Sequence, residues 1–93
     1  MNTLSDIQFE EDILVDELEV ATYKLVLHND DVNTFDWVID ALVEVCKHTF
    51  EQAEQCSYII HHKGKYAVKH GSFDRLKPMK DAIVERGINA TIE

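Results

Sequence analysis

The apolar residues of this chain change their spacing once, sharply, and that change constrains the fold more than any other feature. Tyr23, Leu25 and Leu27 alternate with Lys24 and Val26, the period of two expected of a strand with one face on a core. His28-Asn29-Asp30-Asp31-Val32-Asn33 interrupts the pattern. Asn and Asp side chains bond to nearby backbone and favour turns, so this stretch reads as a loop. Beyond it Phe35, Val38, Ile39, Leu42, Val45 and Cys46 recur at spacings of three and four. They draw one stripe of an amphipathic helix, expected over residues 35–48 and capped by Thr34 or Asn33.

The remaining elements follow from local signals. Thr49-Phe50-Glu51-Gln52 has the form of a capping box and starts a short helix expected to reach about Cys56. Ser57–His62 and Lys65–His70 are rich in strand formers and read as two strands, with Lys63-Gly64 as the hairpin turn. Gly71-Ser72 closes that hairpin. Pro78 is disfavoured inside a helix and tolerated at its start, which predicts a turn at 73–76 and a helix over 78–86. Gly87 suits the helix C-cap, and 88–92 reads as a last strand. The expected fold class is α+β, a small antiparallel sheet with helices packed on one face, in the order β-α-α-β-β-α-β.

Ninety-three residues suffice for one modest core, and a hydrophobic fraction of 45% suits a globular chain. The formal net charge is -9, and seven carboxylates with no lysine or arginine lie in the first twenty positions. Residues 1–21 are therefore expected to form an acidic flexible extension on a domain of residues 22–93. An acidic chain repels phosphate backbones, which argues against a nucleic-acid partner. No apolar run approaches a membrane span and no signal peptide is evident, so no membrane association and a cytoplasmic location are expected. Cys46 and Cys56 read as small buried hydrophobes rather than a redox pair, since no CxxC is present.

Candidate chemistry concentrates after the first strand. Asp30 and Asp31 are adjacent in a loop, and no serine or cysteine sits in a nucleophile context, so no catalytic residue is expected. The loop lacks the spacing and glycine of a calcium site, and the adjacent His61 and His62 on a strand would point to opposite faces. No metal or other cofactor is expected on that basis. An ammonium site fits better. A protein's α-amino group is mostly charged at neutral pH and offers three N–H donors. Asn29 can present an amide oxygen, Asp30 or Asp31 a carboxylate, and a neutral His61 a third lone pair if its strand returns beside the loop. Phe35, Val38, Ile60 and Ile88 are apolar neighbours for such a cup. A small ion-binding or regulatory interaction domain using the Asn29-Asp30-Asp31 loop is the competing reading.

Tyr23-Lys24-Leu25-Val26-Leu27-His28-Asn29-Asp30-Asp31, then Phe35-Asp36-Trp37-Val38-Ile39-Asp40-Ala41-Leu42, then His61-His62-Lys63-Gly64-Lys65 together resemble the ClpS family. The likeness runs from about Tyr23 to Glu93. It implies an adaptor of the N-end rule, or N-degron, pathway. Such an adaptor binds proteins whose first residue is Leu, Phe, Tyr or Trp. It delivers them to the N-terminal domain of a ClpA- or ClpC-type AAA+ unfoldase working with ClpP. The adaptor is expected to be a monomer and not an enzyme, since the partner spends the ATP. By resemblance Asn29, Asp31 and His61 grip the α-amino group with Asp30 assisting, while Asn33, Phe35, Val38, Ser57, Ile60 and Ile88 line the side-chain pocket. The resemblance also marks the N-terminal extension as the segment the unfoldase engages. Many members have Tyr-Thr-Pro-Met where this chain has Val32-Asn33-Thr34-Phe35. Phe35 thus replaces a gatekeeping methionine, and Ser57 replaces another methionine of the pocket.

Overall fold

The computed structural model describes residues 22–93. The extension expected over 1–21 lies outside the described residues. The elements run β1 (Tyr23–His28), α1 (Phe35–Cys46), α2 (Phe50–Lys63), β2 (Lys65–Gly71), α3 (Phe73–Glu85) and β3 (Ala90–Ile92). β1 is the central strand, antiparallel to both neighbours in the order β2-β1-β3. The α+β class with an antiparallel sheet is therefore observed. Leu25 and Leu27 of β1 meet Ile39 and Leu42 of α1, Ile60 of α2, and Leu76 and Ile83 of α3 in one buried cluster. The alternation in β1 and the stripe in α1 point at each other, as their periods require.

Three boundaries differ from expectation. Ser57–His62 is not a strand; α2 continues through it to Lys63. The capping box at Thr49–Gln52 forms as expected, and nothing between it and Gly64 stops the helix. Ala53, Ser57 and Ile60 then fall at helical spacing and are all buried. That burial outweighs the strand preference of Tyr58, Ile59 and Ile60. The hairpin is lost with the strand. Gly64, at φ 95°, instead ends α2 in the left-handed conformation that favours glycine.

The second difference is Pro78, which lies inside α3 rather than at its start. Ser72 caps the helix, accepting from the Arg75 N–H, so the helix begins a turn and a half earlier than Pro78 suggests. Burial of Leu76 on one side of the proline and Ile83 on the other holds the helix together across the missing hydrogen bond. Gly87, at φ 84°, follows α3, and the Ile88 N–H bonds back to the Ile83 carbonyl, the 6→1 closure of a Schellman motif. Third, α1 stops at Cys46 and the last strand shortens to Ala90–Ile92.

The ladder between β1 and β2 shifts register between Leu25 and Val26, leaving Val68 as the extra residue of a bulge. Its carbonyl meets His48 Nε2 at 3.0 Å. A carbonyl only accepts, so that nitrogen carries the proton. Both cysteines are free. Cys46 is buried, which pushes its thiol up to about 11, while Cys56 is half-buried and shifted in the same direction by the same cause. Neither thiol is placed for reactivity.

Candidate functional site

The loop after β1 is built around one carboxylate. Asp30 Oδ1 accepts the N–H groups of Val32 and Asn33, each at 2.8 Å, and Oδ2 accepts from Asn33 Nδ2 at 2.7 Å. This is the Asx-type turn that Asn-Asp sequences favour. The backbone and side-chain donors of Asn33 hold the Asp30 carboxyl below its ordinary value of 3.8. Because the folded value is the lower one, the stabilisation is present above 3.8 and disappears as the pH falls through the folded value. We expect carbon-detected NMR of the Asp30 carboxyl to give a midpoint below 3.8, and Asn33→Ala to move that midpoint back up. A midpoint unmoved by Asn33→Ala, which keeps the backbone N–H, would mean that the side-chain bond from Asn33 Nδ2 does not form in solution.

Asn33 ties the loop to the far end of the chain. Its Nδ2 also donates to the Gly87 carbonyl at 2.9 Å. Both partners are pure acceptors, which fixes the amide orientation and leaves Oδ1 free to accept elsewhere. Trp37 Nε1 donates to the Arg86 carbonyl at 2.8 Å, a second strut between α1 and the end of α3. The N–H of Asn29 donates to the Gly64 carbonyl at 2.8 Å, so the loop also meets the C-terminus of α2.

Where these ends converge lies a hollow lined by Leu27, His28, Asn29, Asp30, Asn33, Val38, Ile60 and Ile88. Its volume of about 20 Å³ holds a single water. One side is polar (Asn29, Asp30, Asn33) and the other apolar (Val38, Ile60, Ile88). Phe35 and His61 are outside this lining; their rings meet edge to face with centroids 5.3 Å apart, and Phe35 borders a separate cleft with Glu51, Glu54, Gln55 and Tyr58.

Six of the ten residues named from the sequence thus line one hollow: Asn29, Asp30, Asn33, Val38, Ile60 and Ile88. His61 stands on the last turn of α2, not on a strand, yet at the same end of the molecule as Asn29. Asp31 is exposed and outside the lining, while Asp30 is within it. Ser57 is buried one helical turn before His61. Leu27 and His28 line the hollow without having been singled out. Leu27 carries no sequence signal beyond that of a core strand residue, whereas His28 sits in the polar cluster that drew attention to the loop. His28 Nε2 contacts Thr91 Oγ1 at 2.8 Å, which fixes its ring toward β3.

Asp30 and Asp31 bring carboxylates to the loop beside the hollow, while Lys65 pairs with His28 across the ladder and Arg86 bridges Glu44 at 2.8 Å. Among the described residues no three histidine, cysteine, aspartate or glutamate side chains converge to hold a metal ion. No helix among them is long and apolar enough to cross a membrane.

The family model described as ATP-dependent Clp protease adaptor protein ClpS matches residues 19–91. The ClpS adapter of Nitratidesulfovibrio vulgaris (strain DP4) is 38% identical over 60 residues, which cover 64% of this chain and 54% of that protein. The ClpS adapter of Campylobacter jejuni (strain RM1221) is 44% identical over 46 residues, covering 50% of this chain and 48% of that one. The chain spans about half the length of the curated relatives it matches. Among solved structures, Agrobacterium tumefaciens ClpS2 bound to L-phenylalaninamide superposes with a TM-score of 0.67 at 24% identity, covering 77% of this chain and 94% of that one, and so shares its fold. With a family match that takes in nearly all of the described domain, the chain belongs to the ClpS family of Clp protease adaptor proteins.

Proposed function

We propose that this chain binds proteins that begin with a bulky hydrophobic residue (Leu, Phe, Tyr or Trp), gripping both the free α-amino group and the first side chain, and delivers them to a ClpA- or ClpC-type AAA+ unfoldase working with ClpP. It performs no catalytic step itself. The observation that carries this reading is the two-sided hollow, where the polar groups of Asn29, Asp30 and Asn33 face the apolar side chains of Val38, Ile60 and Ile88. An amino terminus followed at once by a large apolar side chain has that same division. The ClpS2 relative was solved with L-phenylalaninamide, which combines a free amine with a benzyl group.

Asn29 and His61 offer lone pairs, and Asp30 offers the charge. The Asp30 oxygens are already used by the loop, but a carboxylate has about four lone-pair sites and three are occupied here. Asp31 adds to the field from outside. The hollow is too small for a phenyl ring as it stands, so it widens to admit one, with the neighbouring Phe35–His61 ring pair proposed as the part that moves. Phe35 is 40% exposed, which leaves it room to turn. Burying a Phe side chain contributes about 1.5–3 kcal/mol and each hydrogen bond to the ammonium about 1.5–3 more. With ordering losses subtracted, a Kd in the micromolar range, near about -8 kcal/mol, is the tightest to expect.

Calorimetric titration with a free-amine peptide tests this directly. A Phe-led peptide should bind about 10- to 100-fold more tightly than the same peptide led by alanine, the ratio implied by burying the larger side chain. If the two bind alike, the apolar side of the hollow takes no part and the proposal falls.

A further inference from the structure

β2 is an edge strand: among the described residues it pairs with β1 alone. Between β2 and α2 runs a groove of about 440 Å³ that shares no residue with the hollow. Its apolar lining comes from Cys56 and Ile59 of α2 and from Tyr66 and Val68 of β2, and His48 and His70 complete it. No carboxylate lines it, and β2 sets Lys65 and Lys69 next to the lining residues Tyr66, Val68 and His70. An apolar groove beside an edge strand invites a covering segment.

We propose that residues 13–18 of this same chain dock in the groove. The path of the chain supports that occupant. Tyr23 pairs with Gly71 and Lys24 with His70, so the chain enters β1 beside the His70 end of the groove. Residues 19–22 reach about 13 Å when extended. That is enough to round the end of β2, since neighbouring strands lie about 4.8 Å apart. The β2 wall from Tyr66 to His70 is roughly 14 Å long, a distance that residues 13–18 span when extended. Composition supports it too. Ile13, Leu14, Val15 and Leu18 supply apolar side chains for the groove, and Asp12, Asp16, Glu17 and Glu19 accompany them. Those carboxylates repel one another, and the lysines of β2 offset that repulsion. Docking keeps the apolar side chains of the segment out of water until a partner draws it away. The groove is remote from the hollow's lining, so the proposal stands or falls apart from the amino-terminus reading.

The test compares the full chain with its Leu14→Ser/Leu18→Ser variant by NMR. The amide resonances of Ile59, Tyr66 and His70 should move in the variant. Those of Asn29 and Ile88, at the hollow, should stay, which shows that the fold is kept. Raising the salt concentration should move the groove resonances of the full chain toward their positions in the variant. The Cys56 thiol, half-buried in the groove, should react faster with a thiol reagent in the variant. Groove resonances that are the same in both chains overturn the proposal. Groove resonances that shift with protein concentration also overturn it, because they assign the groove to a second copy of the chain.

Discussion

A peptide led by phenylalanine with a free amino group is expected to bind at least about 100-fold more tightly than its N-acetylated twin. Acetylation leaves the side chain unchanged. It removes the positive charge and reduces three donors to one. Each lost hydrogen bond to a charged group is worth about 1.5–3 kcal/mol, and every 1.4 kcal/mol is tenfold in affinity. The polar side of the hollow has little else to offer an amide, because Asp30 is the one carboxylate in its lining and the amide carries no charge for it to hold. Raising the salt concentration should weaken the free-amine peptide and leave the acetylated one unchanged, since only the first is held by charge. Equal calorimetric affinities for the twins would discard the amine cup.

The second large effect is expected at Asp30. Asp30→Ala removes three hydrogen bonds that shape the loop, two of them to backbone N–H groups. Denaturant unfolding should show a loss of about 2 kcal/mol, or a fall of about 8–16 °C in Tm for a domain of this size. Peptide affinity should drop about 100-fold, because the variant loses both a charged acceptor and the loop geometry that aims Asn29. Asp31→Ala is the control. Asp31 is exposed and outside the hollow's lining, so its removal should leave stability unchanged and weaken binding only a few-fold, through the field alone. A larger loss of affinity at Asp31 than at Asp30 would reverse the roles assigned here.

Much of the framework was legible because period and burial agreed. In β1 and α1 the apolar spacing, the loop chemistry and the cap at Thr34 all point the same way, and the structure follows them. Ser57–His62 misled because local preference and tertiary burial disagree there. Tyr58 and Ile59 favour a strand, but the buried face is Ala53, Ser57 and Ile60, which only a helix brings together. Pro78 misled for a related reason: its local penalty is about 3 kcal/mol, less than what burying Leu76 and Ile83 returns at about 1.5–3 kcal/mol each once the cap at Ser72 has set the start of α3. His61 stands at the same end of the molecule as Asn29 because Gly64, three residues further on, accepts the Asn29 N–H. Which of Asp30 and Asp31 builds the turn was not legible, because neighbouring identical side chains differ only in where the turn points them.

The hollow draws on residues 27–30, 33, 38, 60 and 88, five separate stretches of chain carried by or next to β1, α1, α2 and the end of α3. No single element can form it alone, so an occupant engages only molecules in which all of these are assembled at once. By mass action such an occupant raises the melting temperature of the whole domain, by the equivalent of about 2.7 kcal/mol when present at a hundred times its dissociation constant. A simple thermal scan therefore reports on occupancy, and cargo held here would protect its carrier from unfolding for as long as it stays.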